Sequence, residues 1–445
     1  MPSAARRVAV DVLSRVHTGD GYSGVVLDAA LNRRPTLSEA DRKLASRLVY
    51  GVVERRLTLD YALETHSTIK LKKLHPTVRE ILRVGCYQIV YMEKIPPSAA
   101  VNESVALART MGQDRASGYV NAVLRAVLRD RDRLFGDLPS GDEGLSIRTS
   151  CPPELLKRWR SAYGEERTVL LAESANGVPP VFLRVNTLKL STEEFLDLLH
   201  AQGIAADRHP FLPACLVLGE ASGLKGLAQM FETCYYHQDA ASQYDCMALE
   251  AKPGDRVADV CAAPGGKSLT IAQWMENRGK LFSGELHAGK CRTMAQRLRA
   301  MGASCAQTAV RDAAAPCPEY MIGAFDRVLC DAPCSGLGVI RRKPEIRYKT
   351  PDAELPALQS AILHESSKMV RVGGVLQYST CTLNPAENEE VADRFLRDHP
   401  DFAPRTLPLN DCFAASDCPA SHQITLFPPI HGTDGFYIAG FVRTR

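Results

Sequence analysis

The stretch that decides the fold is 256–275. It reads Arg256-Val257-Ala258-Asp259-Val260, then Cys261-Ala262-Ala263-Pro264-Gly265-Gly266-Lys267-Ser268, then a helix-like run over 269–275. A short apolar run opening through a glycine turn into a helix is one βα unit. Gly265 and Gly266 let the backbone approach a ligand closely. The helix start offers unpaired N–H groups to an anionic or carboxylate group. A phosphate-binding P-loop would need glycine at 261, where this chain has Cys261, and Pro264 stiffens the turn. A dinucleotide G-x-G-x-x-G fingerprint is absent.

Outward from this turn, strands and helices alternate. Strand patterns fall at 256–260, 280–285, 325–331, 374–378 and 436–442, with helical patterns such as 293–301 and 357–370 between them. That alternation predicts a parallel sheet wound on both faces. A nucleoside cofactor needs an acidic residue at the next strand end to hold ribose hydroxyls. Glu285 stands there, and Asp312 lies one strand further on, where adenine would lie.

Two more strand ends carry thiols, in Asp331-Ala332-Pro333-Cys334-Ser335-Gly336 and Ser379-Thr380-Cys381-Thr382. About one βα unit separates them, which can bring both thiols to one sheet edge beside the cofactor turn. Thiols so placed suit covalent catalysis on a weakly electrophilic ring. Cytosine C5 is a poor nucleophile until a thiolate adds at C6; C5 can then take a methyl from a sulfonium donor. Amino-group methylation would call for Asn/Asp-Pro-Pro-aromatic where this chain has Asp-Ala-Pro-Cys. A strand-end cysteine alone is more often a buried structural thiol, but two in matching positions argue against that. Which thiol attacks stays open on residues alone.

The first third reads as helices. Val120, Val123, Leu124, Val127 and Leu128 form one stripe, and Leu82, Cys86, Ile89 and Val90 another. Arg125, Arg129 and Arg133 follow at i+4 steps on a different face. Residues 1–150 carry 23 Lys+Arg against 17 Asp+Glu, and the remaining 295 carry 31 against 34. A basic amino-terminal third beside a slightly acidic remainder suggests an arm for a polyanion, with a solvated helical surface as the plainer reading. Residues 136–150 read as a linker, and 151–235 as a small α/β subdomain. The fourteen cysteines form no C-x-x-C pair, so reduced thiols are expected, not disulfides or zinc. No secretory leader or membrane-spanning run is apparent, so a cytoplasmic protein is expected.

These motifs resemble the RNA cytosine-5 methyltransferases of the Nol/Nop/Sun group over nearly the whole length. The resemblance rests on D-V-C-A-A-P-G-G-K-S, F-D-R-V-L-C-D-A-P-C-S-G-L-G, R-R-K-P-E-I-R-Y-K, G-G-V-L-Q-Y-S-T-C-T-L-N-P-A-E-N-E-E-V and D-G-F-Y-I-A-G-F. The amino-terminal stretch from A-R-R-V-A-V-D-V-L through N-A-V-L-R-A-V-L resembles a NusB-like helical RNA-binding fold. The resemblance implies a multidomain chain: an all-α NusB-like domain over 1–140, a linker and small α/β subdomain over 141–235, and a Rossmann-like class I methyltransferase domain over 236–445.

It further implies S-adenosylmethionine as cofactor, held by Cys261, Ala262, Ala263, Pro264, Gly265, Gly266 and Lys267, with Glu285 on the ribose, Asp312 by the adenine and Asp331 near both sulfonium and base. The family usually has aspartate where Glu285 stands. Cys381 is implied as the nucleophile and Cys334 as the thiol that assists product release. The expected substrate is C5 of a cytosine in 16S rRNA, the position-967 loop cytosine. Alternatives are the same chemistry on tRNA or 23S rRNA, and a non-catalytic RNA-binding ribosome-assembly factor. Arg125, Arg129, Arg184, Arg342 and Lys343 are candidate RNA contacts, and Arg184, Asn186 and Lys189 serve RNA or domain packing. The basic run Arg341, Arg342, Lys343, Arg347 and Lys349 suggests phosphate contacts. The expected partner is free or partly assembled small-subunit RNA, with a monomeric chain, no metal and no membrane.

Overall fold

The structure, a computed structural model, describes residues 3–19, 21–219, 231–408 and 421–445. Two compact units share the chain: residues up to 177 with 340–349, and 178–339 with 350–445.

The first unit is helical, as the stripes predict. Ala4–Thr18, Glu39–Glu54, Pro76–Tyr91, Pro97–Thr110 and Ser117–Arg129 bury one shared core that includes Leu48, Leu82, Leu124 and Val127. Ser38 caps its helix by accepting from the Asp41 amide, and Pro76 and Pro97 open theirs, where a missing N–H costs nothing. Gly51 is required where two helices cross, since a Cβ there would lie 2.0 Å from the Tyr87 ring.

Three expectations fail here. Residues 136–150 are not simply a linker, because Gly141–Thr149 is a helix that buries Leu145. The arginine ridge breaks: the helix ends at Arg129, and Arg133 sits in the separate turn Arg131–Arg133, off the i+4 line. Arg347 is no phosphate contact. It is 2% exposed, and its guanidinium donates to the carbonyls of Glu54, Thr149 and Ala175 and to Asn176 Oδ1. Those four bonds tie 340–349 into the helical unit.

The second unit holds two sheets. The small one orders as β2 (Ala206–Arg208), β3 (Cys215–Leu218), β1 (Val181–Val185), β4 (Tyr235–His237), all antiparallel. The helix Thr192–Ala201 starts at a capping box between Ser191 and Glu194 and buries Phe195 and Leu199. Arg184, a candidate RNA contact, is instead 3% exposed. Its Nε donates to Gln273 Oε1 at 2.9 Å and its Nη1 to the Pro213 carbonyl at 2.7 Å. Asn186 is equally buried and donates to the Thr233 and Met301 carbonyls. Both are packing residues.

The large sheet comprises β5 (Arg256–Asp259), β6 (Lys280–Glu285), β7 (Ala306–Val310), β8 (Phe325–Asp331), β9 (Val370–Thr380), β10 (Phe402–Pro404), β11 (Gln423–Leu426) and β12 (Phe436–Arg443). Its order is β10-β12-β9-β8-β5-β6-β7, with β11 also paired to β12. Only five strands are parallel. β12 runs antiparallel to β9, β10 and β11, so the sheet is mixed, not purely parallel. An antiparallel neighbour needs no helical crossover, which is why strand-helix alternation did not reveal it. The chain leaves β5 toward β6 and β7, then restarts on β5's other side with β8 and β9. The crevice at such a switch point is where open α/β sheets bind ligands.

Candidate active site

Parallel pairing lines up the carboxyl ends of five strands. Asp259 is level with Ser283, Glu285 with Val310, and Asp331 with Ser379. The residues just beyond, Cys261 to Lys267, Asp312, Cys334 and Cys381, therefore gather on one edge. The two thiols meet there, Cys334 Sγ lying 3.3 Å from Cys381 Sγ. Both are partly exposed, and neither is in a disulfide.

Each thiol is held by buried polar groups. Beside Cys334, Glu387 accepts from the Ser335 amide at 2.8 Å, Ser335 Oγ at 2.5 Å, Gln359 Nε2 at 3.0 Å and Asn384 Nδ2 at 2.7 Å. Beside Cys381, Asn388 accepts from Thr380 Oγ1 at 2.6 Å and donates to the Thr382 carbonyl at 2.9 Å. The Gly338 amide donates to the Cys381 carbonyl at 3.0 Å. The hydrogen bond to Cys381 and burial together push the Cys334 thiol well above its ordinary range, so Cys334 keeps its proton.

A charged cluster lies at the adjoining strand ends. Lys267 Nζ is 2.5 Å from Asp331 Oδ2 and 3.6 Å from Asp245 Oδ2. Burial disfavours the ammonium, but Asp331 and Asp245 outweigh it and hold Lys267 above its usual range. Asp245, fully buried, also accepts from Ser379 Oγ at 2.8 Å and Gln377 Nε2 at 2.7 Å. Burial raises its carboxyl to about 6 despite Lys267. Asp259 is 1% exposed; one oxygen accepts from Ser268 Oγ at 2.7 Å, and Oδ1 has no partner among the described residues. Burial lifts its carboxyl to about 7.

The glycine turn fits a close ligand. Gly265 has φ +95° at the start of the helix Gly266–Trp274, a left-handed conformation that favours glycine. The nearest heavy atom to a Cβ on Gly266 would be Gln238 Nε2 at 3.9 Å, which leaves that side of the turn open. Glu285 accepts from the His287 amide at 2.9 Å, and Asp312 is exposed with one oxygen on the Ala314 amide. The open turn, the orphaned buried Asp259 oxygen and the aligned carboxylates fit a nucleoside cofactor bearing a cationic group.

Reading residues alone missed Asp245, Asp259, Glu387 and Asn388. Asp259 was visible as a carboxylate ending an apolar strand. Glu387 and Asn388 lay inside the quoted N-P-A-E-N motif, but only the fold brings them to the thiols. Arg125 and Arg129 are exposed on their helix, Lys343 is exposed and Arg342 half-buried, all in the helical unit.

Three family profiles match successive parts of the chain: the NusB family over 3–129, the RsmF/B-like ferredoxin-like domain over 151–224, and 16S rRNA methyltransferase RsmB/F over 246–442. The ribosomal RNA small subunit methyltransferase B of Pseudomonas putida is 31% identical, with 98% of each chain covered. This chain belongs to the RsmB/F family of 16S rRNA methyltransferases. A Bacillus subtilis relative, named "Probable ribosomal RNA small subunit methyltransferase B", is 35% identical over 98% of each chain. Among solved structures, PH0851 superposes with a TM-score of 0.79 at 24% identity, over 100% of this chain and 99% of that one, and shares the fold. A methyltransferase homolog protein from Pyrococcus horikoshii matches at TM-score 0.58 and 28% identity, over 69% of this chain and all of its own. Within this RsmB/F chain, no described helix is long and apolar enough to cross a membrane. No group of three or more metal-ligating side chains occurs among the described residues.

Proposed function

We propose that this chain methylates C5 of a cytosine in 16S rRNA, the position-967 loop cytosine, through a covalent bond from Cys381 to C6. The observation that carries the proposal is the 3.3 Å approach of Cys334 and Cys381 at the ligand-binding edge of the sheet. Family membership supports rRNA as the substrate.

The residues that would hold S-adenosylmethionine are Cys261 to Lys267, with Glu285 at the ribose, Asp312 by the adenine and Asp331 near the reacting carbon. Bound there, the cofactor supplies a sulfonium methyl group to C5. The target base leaves its stack to reach the thiols, a step that costs least in a single-stranded loop. Cys381 attacks as thiolate, its sulfur bonding to C6 while the electron pair of the C5–C6 double bond moves onto C5, delocalised over C4 and N3. C5 is then nucleophilic and takes the methyl. The C5 proton passes to Asp331, the electron pair of the C5–H bond reforms C5=C6, and the C6–S bond breaks toward sulfur. Cys334, which keeps its proton, donates a hydrogen bond to the departing Cys381 sulfur and eases its release as thiolate. Lys267 holds Asp331 in place from 2.5 Å. Residues 1–140 serve as the RNA-binding part, through Arg125 and Arg129 on a domain with six excess positive charges over 1–150.

The test is a denaturing gel of each thiol variant incubated with a 16S rRNA fragment and S-adenosylmethionine, with bisulfite sequencing of the product. Cys381→Ala should give no adduct and no 5-methylcytosine. Cys334→Ala should accumulate a denaturant-stable protein–RNA adduct. The reverse pattern would exchange the two roles, and methylation surviving in Cys381→Ala would overturn the mechanism.

A further inference from the structure

The helical unit holds a partly open cavity of about 200 Å³ that the proposed reaction does not use. Its apolar lining includes Leu13, Val16 and Val52. Charged residues line it too: Arg56, Arg83 and Lys349 with Glu80 and Glu345. Arg83, Glu80 and Glu345 have hydrogen-bond partners within the unit. Arg83 forks onto both Asp60 oxygens at 2.7 Å and reaches Glu80 at 2.7 Å. Glu80 also receives Arg79 at 3.3 Å. Glu345 accepts from the Ser23 amide and hydroxyl, each at 2.9 Å.

Arg56 is the exception. Its guanidinium carbon lies 3.5 Å from the centre of the Tyr348 ring. Among the described residues it has neither a hydrogen bond nor an ion pair. Lys349 likewise has no carboxylate partner there, and its ammonium lies 4.0 Å over the Tyr22 ring. Tyr348 is itself fixed, its hydroxyl donating to the Val53 carbonyl at 2.9 Å and lying 3.1 Å from Ser150 Oγ. A half-buried guanidinium with idle donors is costly unless an anion or water meets it. The neighbouring His17 reports the same field. Burial, then Arg83, Arg79 and Arg56, lower it to about 4, so its imidazole is neutral at physiological pH. The cavity thus holds a rigid, planar, unpaired fork, a second unpaired cation, and a histidine kept neutral.

We propose that this cavity binds a phosphate group, gripped by the Arg56 fork on its Tyr348 platform and by the Lys349 ammonium. Arginine's planar donors match phosphate oxygens two at a time, and a phosphate carries the charge that both cations lack. The phosphate could be supplied by an RNA chain or as a free ion, and the two sources are separable.

The full-length chain is titrated with inorganic phosphate by calorimetry, and with a 16S rRNA fragment by filter binding, with and without competing phosphate. Arg56→Gln should weaken phosphate binding at least about tenfold, the loss expected for charge-assisted hydrogen bonds. Lys349→Gln, at an exposed position, should weaken it in the same direction without risk to folding. If RNA supplies the phosphate, both variants weaken RNA binding and free phosphate competes with the fragment. If a free ion is the ligand, phosphate binding falls while RNA affinity is unchanged. S-adenosylmethionine affinity, measured alongside, should not move, so a failure here is distinct from a failure of the methyltransferase mechanism. Phosphate and RNA affinities both unchanged in the two variants would overturn the proposal.

Discussion

Asp259→Asn should change how the catalytic unit's stability responds to pH. Burial raises the Asp259 carboxyl from its ordinary 3.8 to about 7. An acid whose pKa is raised by folding binds its proton more tightly in the folded state. Between about pH 4 and 7 the folded chain therefore holds more of this proton than the unfolded chain, and stability falls as pH rises. The full cost is present above pH 7 and amounts to about 4 kcal/mol, at about 1.4 kcal/mol per pH unit. At pH 5 less than half of it has developed, so about 3 kcal/mol separates pH 5 from pH 8.

Asparagine cannot ionise, and its carbonyl oxygen can still accept the Ser268 hydroxyl. Its buried amide nitrogen would bring a cost of about 1–3 kcal/mol, but one that does not vary with pH. The slope is thus the test, not the offset. The chain has two tryptophans, and Trp274 ends the helix that carries Ser268. In a Trp159→Phe background, urea unfolding followed by Trp274 fluorescence reads this unit. Relative to its parent, the variant should gain about 3 kcal/mol between pH 5 and 8. Parallel stability curves for variant and parent would refute the argument that Asp259 is buried and ionises at a cost.

Glu387→Ala should cost about 3 kcal/mol in urea unfolding and slow methylation, because four donors around Cys334 lose their acceptor. Gly338→Ala should lower the melting temperature and impair methyl transfer, since its Cβ would fall 2.0 Å from the Gly435 carbonyl oxygen and 2.8 Å from that of Cys381. Diamide should oxidise Cys334 and Cys381 to a disulfide, the thiols giving up two electrons and two protons to the reagent. Mass spectrometry should find that cross-link, with methylation lost and then restored by dithiothreitol; stoichiometric diamide that leaves both thiols free would contradict their 3.3 Å approach. Arg347→Ala should destabilise the helical unit by about 3 kcal/mol in thermal denaturation, as four buried acceptors lose their donor.

Much of the architecture is local and so legible along the chain. The helical stripes around Val120 to Leu128 and Leu82 to Val90 reflect a period of 3.6 that any buried helix must satisfy. The strand, glycine turn and helix from Arg256 to Trp274 announced a cofactor edge. The motifs around Cys334 and Cys381 announced two strand-end thiols. What lay beyond such reading was decided between residues distant in sequence. Arg347 looked like a phosphate contact because a basic run carries no record of the carbonyls that enclose it. Whether Arg184 served RNA or packing stayed open for the same reason, until the fold showed Gln273 and Pro213 taking its donors. The antiparallel β12 was hidden because an apolar alternation states that a strand exists, not which way its neighbour runs. Nor could spacing state that Glu387 would clamp the Ser335 loop or that two sulfurs would lie 3.3 Å apart. Periodicity and turn chemistry follow from the backbone geometry of each segment alone. Burial and partner choice follow from which segments pack together, and only the tertiary fold assigns those.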